Sequence, residues 1–547
     1  MKKRMGRRLV SLMLLVMTSG ALMGQSSAFQ AGKSLDLQTA VLRALQQEYV
    51  DPIAIDTLVF EGINAMLSTL DPYTLFFPEE QEENIEMMTS GNYGGVGAII
   101  RKTPDNWVMI LEPYLGSPAV KVGLEPGDIL LEVAGTPTNE MTVSECSSKM
   151  RGQPGTSLQL LVKKTRSGDT LSIDLTREIV HVSGVVYAGI IRDSIGYVQL
   201  SDFTRGAAQE VRRELIAMEQ TGRLKQVVLD LRGNGGGLLT EAVDLVSLFV
   251  PQGTHVLYTQ GRSPESRKDS YTQNEPWNTD IPVMVLINSS TASSSEIVAG
   301  ALQDLDRGVI AGTRSYGKGL IQSFRGLGYD ASLKLTVGKY YTPSGRCVQA
   351  IDYRARKEVG SLNQLPDSLR QVYKTRSGRV VYGGGGITPD LAVESEYYNR
   401  PLVALIYSGI LDDYAVQYYR DHVQVPEAVA INLTDIEYLD FVNFAAAKDF
   451  DHRTEALVDL EKLIEVAKQE GTYDMHAALY EALQQALTQD KQTYLTKNKA
   501  IIKPLLEREI AVAYYFSRGG AARGLLDDRQ LYEAIDRWDE VSLSPLL

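Results

Sequence analysis

Five consecutive apolar, β-prone residues, Val283-Met284-Val285-Leu286-Ile287, run straight into the polar stretch Asn288-Ser289-Ser290-Thr291-Ala292-Ser293-Ser294-Ser295-Glu296. Beyond it, Ile297, Val298, Ala301, Leu302 and Leu305 recur at helical spacing. The first run reads as a buried strand and the last as a helix, so the hydroxyl-rich stretch is a strand-to-helix turn. Backbone N–H groups at a helix N-terminus lack intrahelical partners and favour anions. An anionic tetrahedral intermediate fits such a place if one of the serines is a nucleophile. Ser and Thr are also favoured helix caps, so the turn taken alone favours a plain cap.

A second stretch changes the balance. Ser315-Tyr316-Gly317-Lys318-Gly319-Leu320-Ile321-Gln322 sets a lysine between two glycines among apolar residues. That is a poor surface design, but it suits a desolvated base. A serine nucleophile needs a base, and lysine serves when its pKa falls. Lowering it from ~10.4 to about 7 requires on the order of 4–5 kcal/mol, which burial can supply.

On these two stretches the chain resembles the carboxyl-terminal processing peptidases, also called tail-specific proteases. These are serine endopeptidases with a Ser–Lys dyad and an embedded PDZ domain. The family's turn reads T-A-S-x-S-E-I-x-A-G-A-L, and its middle serine attacks; here that serine is Ser293. The family's F/Y-G-K-G-x-x-Q implies Lys318 as general base and Gln322 as the residue that orients it. Ser294 stands where alanine is usual, leaving three adjacent serines, so the choice of Ser293 rests on the resemblance and not on chemistry.

At 547 residues the chain is long enough for several domains, and its net charge of −13 disfavours nucleic acid as a partner. Lys2, Lys3, Arg4, Arg7 and Arg8 precede an apolar run from Leu9 to Met17, with small residues at Ser26-Ser27-Ala28. That pattern predicts a signal peptide over residues 1–28, hence export to the periplasm or cell envelope. An uncleaved anchor is the alternative, although the run is short for a span of ~20 residues. Cys146 and Cys347 fall in different segments and call for no structural disulfide. No metal-ligand spacing occurs, and neither a metal nor a cofactor is expected.

Read in order, residues 29–91 form an N-terminal helical segment with apolar faces at Leu37, Val41, Leu45 and Val50, then Phe60, Ile63, Leu67 and Leu70. It ends at Asp71-Pro72-Tyr73-Thr74, a turn to which the resemblance assigns packing and no chemistry. Residues 92–178 resemble a PDZ domain, a β-barrel-like unit. Gly95, Val96 and Gly97 form the loop that turns N–H groups toward a peptide carboxylate, and Gly123-Leu124-Glu125-Pro126-Gly127-Asp128 forms the following turn. Residues 179–399 are the α/β protease core (ClpP/crotonase-like), with an insertion at about 352–380. There Val227-Val228-Leu229-Asp230-Leu231 reads as a buried strand leading into Arg232-Gly233-Asn234-Gly235-Gly236-Gly237. The turn lacks the P-loop Gly-Lys-Ser/Thr and the G-x-G-x-x-G spacing of nucleotide folds. The resemblance implies instead that Gly235 or Gly236, with Ser294, supplies the oxyanion-hole N–H groups, and that Arg232 and Asn234 brace the turn. Residues 400–547 read as an all-α domain, with apolar faces at Leu457, Leu460, Leu463, Ile464 and Ala467, at Leu479, Leu483 and Leu487, and at Ile501, Leu505, Ile510 and Val512.

The fold class expected is therefore multidomain α+β. The activity implied is cleavage of exported proteins at or near apolar or unstructured C-termini, with the PDZ domain capturing or gating the tail. An adaptor protein, and a homo-oligomer formed through the C-terminal helices, are further expectations. Two alternatives stand beside it. One is a catalytically silent PDZ scaffold, disfavoured because a scaffold has no reason to keep a buried lysine. The other is an esterase, disfavoured by the missing G-x-S-x-G elbow.

Overall fold

The computed structural model describes residues 29–78, 82–353 and 370–541. The expected signal peptide and much of the expected insertion lie outside the described residues.

Two helices, 29–48 and Ile55–Ser68, open the described chain. Their apolar faces are less covered than the sequence pattern suggests: Leu37 and Val41 are exposed, and the second helix buries no residue fully. The following turn is fixed by Asp71, whose Oδ1 accepts the N–H groups of Tyr73 and Thr74, each at 2.8 Å. It delivers the strand Leu75–Phe77 onto Ala331–Tyr341, with Leu75 opposite Lys334. The N-terminal segment is thereby stitched into a five-stranded protease sheet that also holds Leu320–Gly328, His255–Gln260 and Lys268–Tyr271.

The PDZ-like unit is a sheet ordered Ala98–Lys102, Val108–Pro113, Ile129–Val133, Ser157–Lys163 and Thr170–Thr176, with Thr136–Pro137 at its side. Its helix Val143–Met150 starts with a capping box between Thr142 and Glu145. A two-stranded ribbon, Asn92–Gly95 against Glu178–His181, closes it.

The protease centre is a six-stranded sheet ordered Val185–Ile191, Ile195–Leu200, Gln226–Asp230, Val283–Ile287, Val309–Gly312 and Leu391–Ala392. Only the first pair is antiparallel. Both faces of its central strands are buried, which is why they read as continuous apolar runs. Val227, Leu229, Val283, Val285 and Ile287 face the helices Ala207–Glu219, Leu239–Ser247 and Ser294–Asp304. Val228, Met284 and Leu286 point the other way, onto Leu525, Leu531, Ala534 and Trp538. The last part of the helical region is thus the second cover of the protease sheet.

The C-terminal helices have their own core around Leu405, Tyr414, Phe441, Leu506 and Ile510. Leu457, Leu460, Ile464 and Ala467 are buried as one face, while Leu463 is exposed. The face at Leu479 and Leu483 is not a core in this chain: helix Tyr473–Leu487 buries no residue, and Leu479 is 71% exposed. Helix periodicity shows that a face is apolar, not what covers it. Helix Lys499–Leu525 accommodates Pro504 and breaks at Phe516, where φ is +59°. Cys146 and Cys347 are both free thiols. No described helix is long and apolar enough to cross a membrane.

Candidate active site

The site forms where the two parallel strands Gln226–Asp230 and Val283–Ile287 end side by side. The glycine turn and the serine turn that follow them are zipped together. The Thr291 hydroxyl donates to the Leu231 carbonyl (2.8 Å), and the Gly233 N–H to Asn288 Oδ1 (3.0 Å). The Asn234 carbonyl accepts both the Ala292 N–H (3.0 Å) and the Ser295 hydroxyl (3.1 Å). The Ser294 hydroxyl donates to the Gly237 carbonyl at 2.9 Å. Ser294 and Ser295 are both buried, so two of the three serines spend their hydroxyls on the frame. Ser293 is only half-buried; its hydroxyl oxygen faces the Glu296 N–H in a capping box at the helix start, and its proton is given to no acceptor among the described residues.

Ser293 begins the helix with φ +57° and ψ −117°. A non-glycine residue there carries strain of about 1–3 kcal/mol, which surrounding contacts must hold. One of them is the close backbone of Gly236: a Cβ there would lie 2.7 Å from Ser293 Cβ and 2.8 Å from the Ser294 nitrogen. At φ +104° the position is doubly suited to glycine.

The oxyanion candidates divide accordingly. Asn234 is fully buried, and its Oδ1 accepts the Gly236 N–H at 2.8 Å. Gly236 therefore has no free donor in this structure. The N–H groups of Gly235 and Ser294 have no acceptor among the described residues. The Asn-x-Gly spacing is an Asx-turn signal that distinguishes the two glycines.

Serine and lysine are joined through their backbones. Glu296, fully buried, accepts the Ser293 N–H (2.9 Å) and the Lys318 N–H (2.8 Å) on Oε2. Its Oε1 accepts the Gly317 N–H (2.8 Å) and the Ser315 hydroxyl (2.5 Å). From the other side, the buried Tyr340 hydroxyl lies 3.2 Å from the Ser293 carbonyl and 2.9 Å from the Lys318 carbonyl. Burial pushes the Glu296 pKa up, while these four donors pull it down.

Burial, then the neighbouring Lys334, lowers the Lys318 pKa to about 8, against the opposing pull of Glu296 and Asp71. Its ammonium nitrogen lies 4.2 Å from the centroid of the Tyr73 ring. Tyr73 comes from the turn that the sequence reading treated as packing alone. Gln322 is not bonded to the lysine: its Nε2 donates to the Thr336 hydroxyl at 3.3 Å. Thr336 in turn meets Thr74.

In the PDZ-like unit, the carbonyls of Val96 and Gly97 are taken by the N–H groups of Ala119 and Tyr114, both at 2.9 Å. The N–H groups of Val96 and Gly97 have no partner among the described residues, while Gly95 pairs with Glu178. A cavity of about 80 Å³ opens beside the loop, lined by Met87, Tyr93, Val96, Tyr114, Met150 and Arg151 among others. Free N–H groups beside such a cavity, with the Arg151 cation on its wall, suit a peptide carboxyl terminus.

Such a fold and site define a serine protease with an appended PDZ domain. Residues 194–354 match the model of peptidase family S41, residues 109–164 that of the PDZ domain, and residues 402–537 that of the probable PDZ-protease C-terminal helical domain. A carboxyl-terminal-processing protease of Synechocystis sp. is 38% identical over 307 residues, 55% of this chain and 70% of its own length. One from Picosynechococcus sp. is 33% identical over 392 residues, 68% of this chain and 90% of its own. A solved structure of the photosystem II D1 C-terminal processing protease has 25% identity and a TM-score of 0.35, covering 64% of this chain and 85% of that one. The chain belongs to the carboxyl-terminal-processing proteases of peptidase family S41.

Proposed function

We propose that Ser293 is the nucleophile and Lys318 its general base, in an endopeptidase that cuts exported proteins at or near apolar or unstructured C-termini. The observation that carries the assignment is the double clamp on the two backbones, Glu296 on their N–H groups and Tyr340 on their carbonyls. Neutral Lys318 takes the Ser293 hydroxyl proton as Oγ bonds to the scissile carbonyl carbon. The oxyanion is stabilised by the N–H groups of Gly235 and Ser294. As the tetrahedral intermediate collapses, the C–N bond breaks and the Lys318 ammonium protonates the leaving amine. Water, deprotonated by Lys318, then attacks the ester, and Ser293 leaves with the proton.

Tyr73 gives the lysine amine an aromatic rest between turns of the cycle. Gln322 acts through Thr336 and not by a direct bond to the amine. The PDZ loop at Gly95, Val96 and Gly97 receives the substrate tail. Export rests on the basic and apolar pattern of residues 1–28. The exposed face at Leu479 and Leu483 supports a homo-oligomer through the C-terminal helices or an adaptor seated there.

The test is cleavage of an unstructured protein with an apolar C-terminus. Ser293→Ala and Lys318→Ala abolish it, while Ser294→Ala and Ser295→Ala keep most of it. A dead Ser294→Ala or Ser295→Ala beside an active Ser293→Ala overturns the assignment.

A further inference from the structure

The residue that opens the glycine turn is held from two directions. Arg232 receives Asp230 at the end of its own strand, with Nε 3.0 Å from both carboxylate oxygens and one terminal nitrogen 2.5 Å from Oδ2. It also receives Asp528, 296 residues away, in a bidentate pair at 2.5 and 3.1 Å. Gln530 Oε1 adds a third acceptor at 3.0 Å. Burial lowers the Arg232 pKa, but the two carboxylates outweigh it and hold the guanidinium charged. The ensemble lies on the wall of a cavity of about 950 Å³ between the protease sheet and the C-terminal helices.

Asp528 is not a loose surface acid. Its Oδ1 also accepts the Leu531 N–H at 2.9 Å, capping the helix Arg529–Asp536. Gln530 is anchored by its Nε2 on the Val393 carbonyl at 2.8 Å. The helix they start sends Leu531 and Ala534 into the second face of the protease sheet. At the other end of the linkage, Gly233 follows Arg232 with φ +74°, and Gly235 is exposed with nothing packed on its Cα. The Gly235 N–H therefore takes its direction from the flanks of the turn. Asn234 before it and Gly237 after it tie the turn to the serine turn, and Arg232, three residues before Gly235, anchors the start of the turn on the C-terminal segment.

We propose that Asp528, with Gln530, is a positioning residue for the oxyanion turn, acting through Arg232. The C-terminal helical segment is then part of the catalytic apparatus and not a detached support. The inference rests on the assignment of the Gly235 N–H to the oxyanion hole. A misplacement of 1 Å in such a donor can lower the rate by about 10²-fold, so a remote carboxylate can register in kcat.

The experiment compares full-length Asp528→Asn, Asp528→Glu, Asp536→Ala and Ser293→Ala. Asp536 belongs to the same helix and pairs with Arg192, but does not touch Arg232. The readouts are kcat and KM for the unstructured substrate, the rate of phosphonylation by a small fluorophosphonate, and the thermal midpoint. Asp528→Asn is expected to lower kcat and phosphonylation together, by about tenfold or more, with KM within about twofold and the midpoint nearly unchanged. Asp528→Glu recovers most of the rate, and Asp536→Ala keeps it. An unchanged kcat in Asp528→Asn, a loss confined to KM, or an equal loss in Asp536→Ala overturns the proposal. Should Asp528→Asn not fold, Gln530→Leu takes its place, with a several-fold fall in kcat expected and an unchanged kcat overturning it. Activity surviving in Ser293→Ala would instead sink the site assignment, whatever Asp528 does.

Discussion

The two faces of the protease sheet are covered by very different parts of the chain. One face meets helices Ala207–Glu219, Leu239–Ser247 and Ser294–Asp304, each joined to the sheet by a short turn. The other meets Leu525, Leu531, Ala534 and Trp538, which follow the central strands by more than two hundred residues. Each face also sends one carboxylate to the active site. Glu296, from the near layer, ties the serine to the lysine; Asp528, from the far layer, reaches the oxyanion turn through Arg232. In the proposed mechanism the near layer builds the reacting pair, and the far layer fixes the place where charge develops.

That contrast can be broken in three ways. The largest effect is expected from Glu296→Gln. An amide keeps one acceptor oxygen and places an NH₂ against the backbone donors that the second oxygen served. A fall in kcat of about 10²-fold or more is expected, with a lower thermal midpoint. A variant with kcat within about threefold of the parent would show that the clamp does not hold the dyad. Next comes stability. Phe249→Ala on the near face and Trp538→Ala on the far face should each lose about 3–5 kcal/mol in denaturant unfolding, because both rings are buried in the sheet's covers. A loss under about 1 kcal/mol at Trp538 would make the far layer an accessory.

The smallest effect concerns pH. Lys318 titrates near pH 8, so kcat/KM should rise with pH through about 8 as the amine becomes neutral. The sign for stability is the same. Between that value and the ordinary lysine pKa the unfolded chain binds more protons than the folded one, so stability grows with pH across this window. Lys334→Met removes a neighbouring cation and should move the kcat/KM midpoint upward. A midpoint that stays still or falls would remove Lys334 from the account.

What was legible in the sequence follows the same division. The strands expected at Val283–Ile287 and Val227–Leu231 were read almost to the residue, because both are dictated by a local apolar run. The turn offered three serines and only the resemblance singled out Ser293, while the glycines around Lys318 marked the proposed base. The far layer was not legible: Leu531, Ala534 and Trp538 carry no sign of which surface they cover. Tyr73 was missed for the same reason, since only the tertiary fold brings its ring to Lys318. Gly236 could have been separated from Gly235, because Asn234 stands two residues before it and its side chain claims that N–H. The resemblance gave Gln322 an orienting role without saying through which atoms; here its amide donates to Thr336, a matter of side-chain direction that spacing does not specify.

The central claim is that one particular serine of three is the nucleophile, set free because its neighbours are bound. The most direct measurement is mass-spectrometric mapping of the adduct formed by a fluorophosphonate on the native protein, repeated across pH 6 to 10. The account predicts a single modified residue, Ser293, labelled faster as pH rises through about 8, and no label in Lys318→Ala. Label on Ser294 or Ser295, or a rate on Ser293 indifferent to both pH and Lys318, would contradict it.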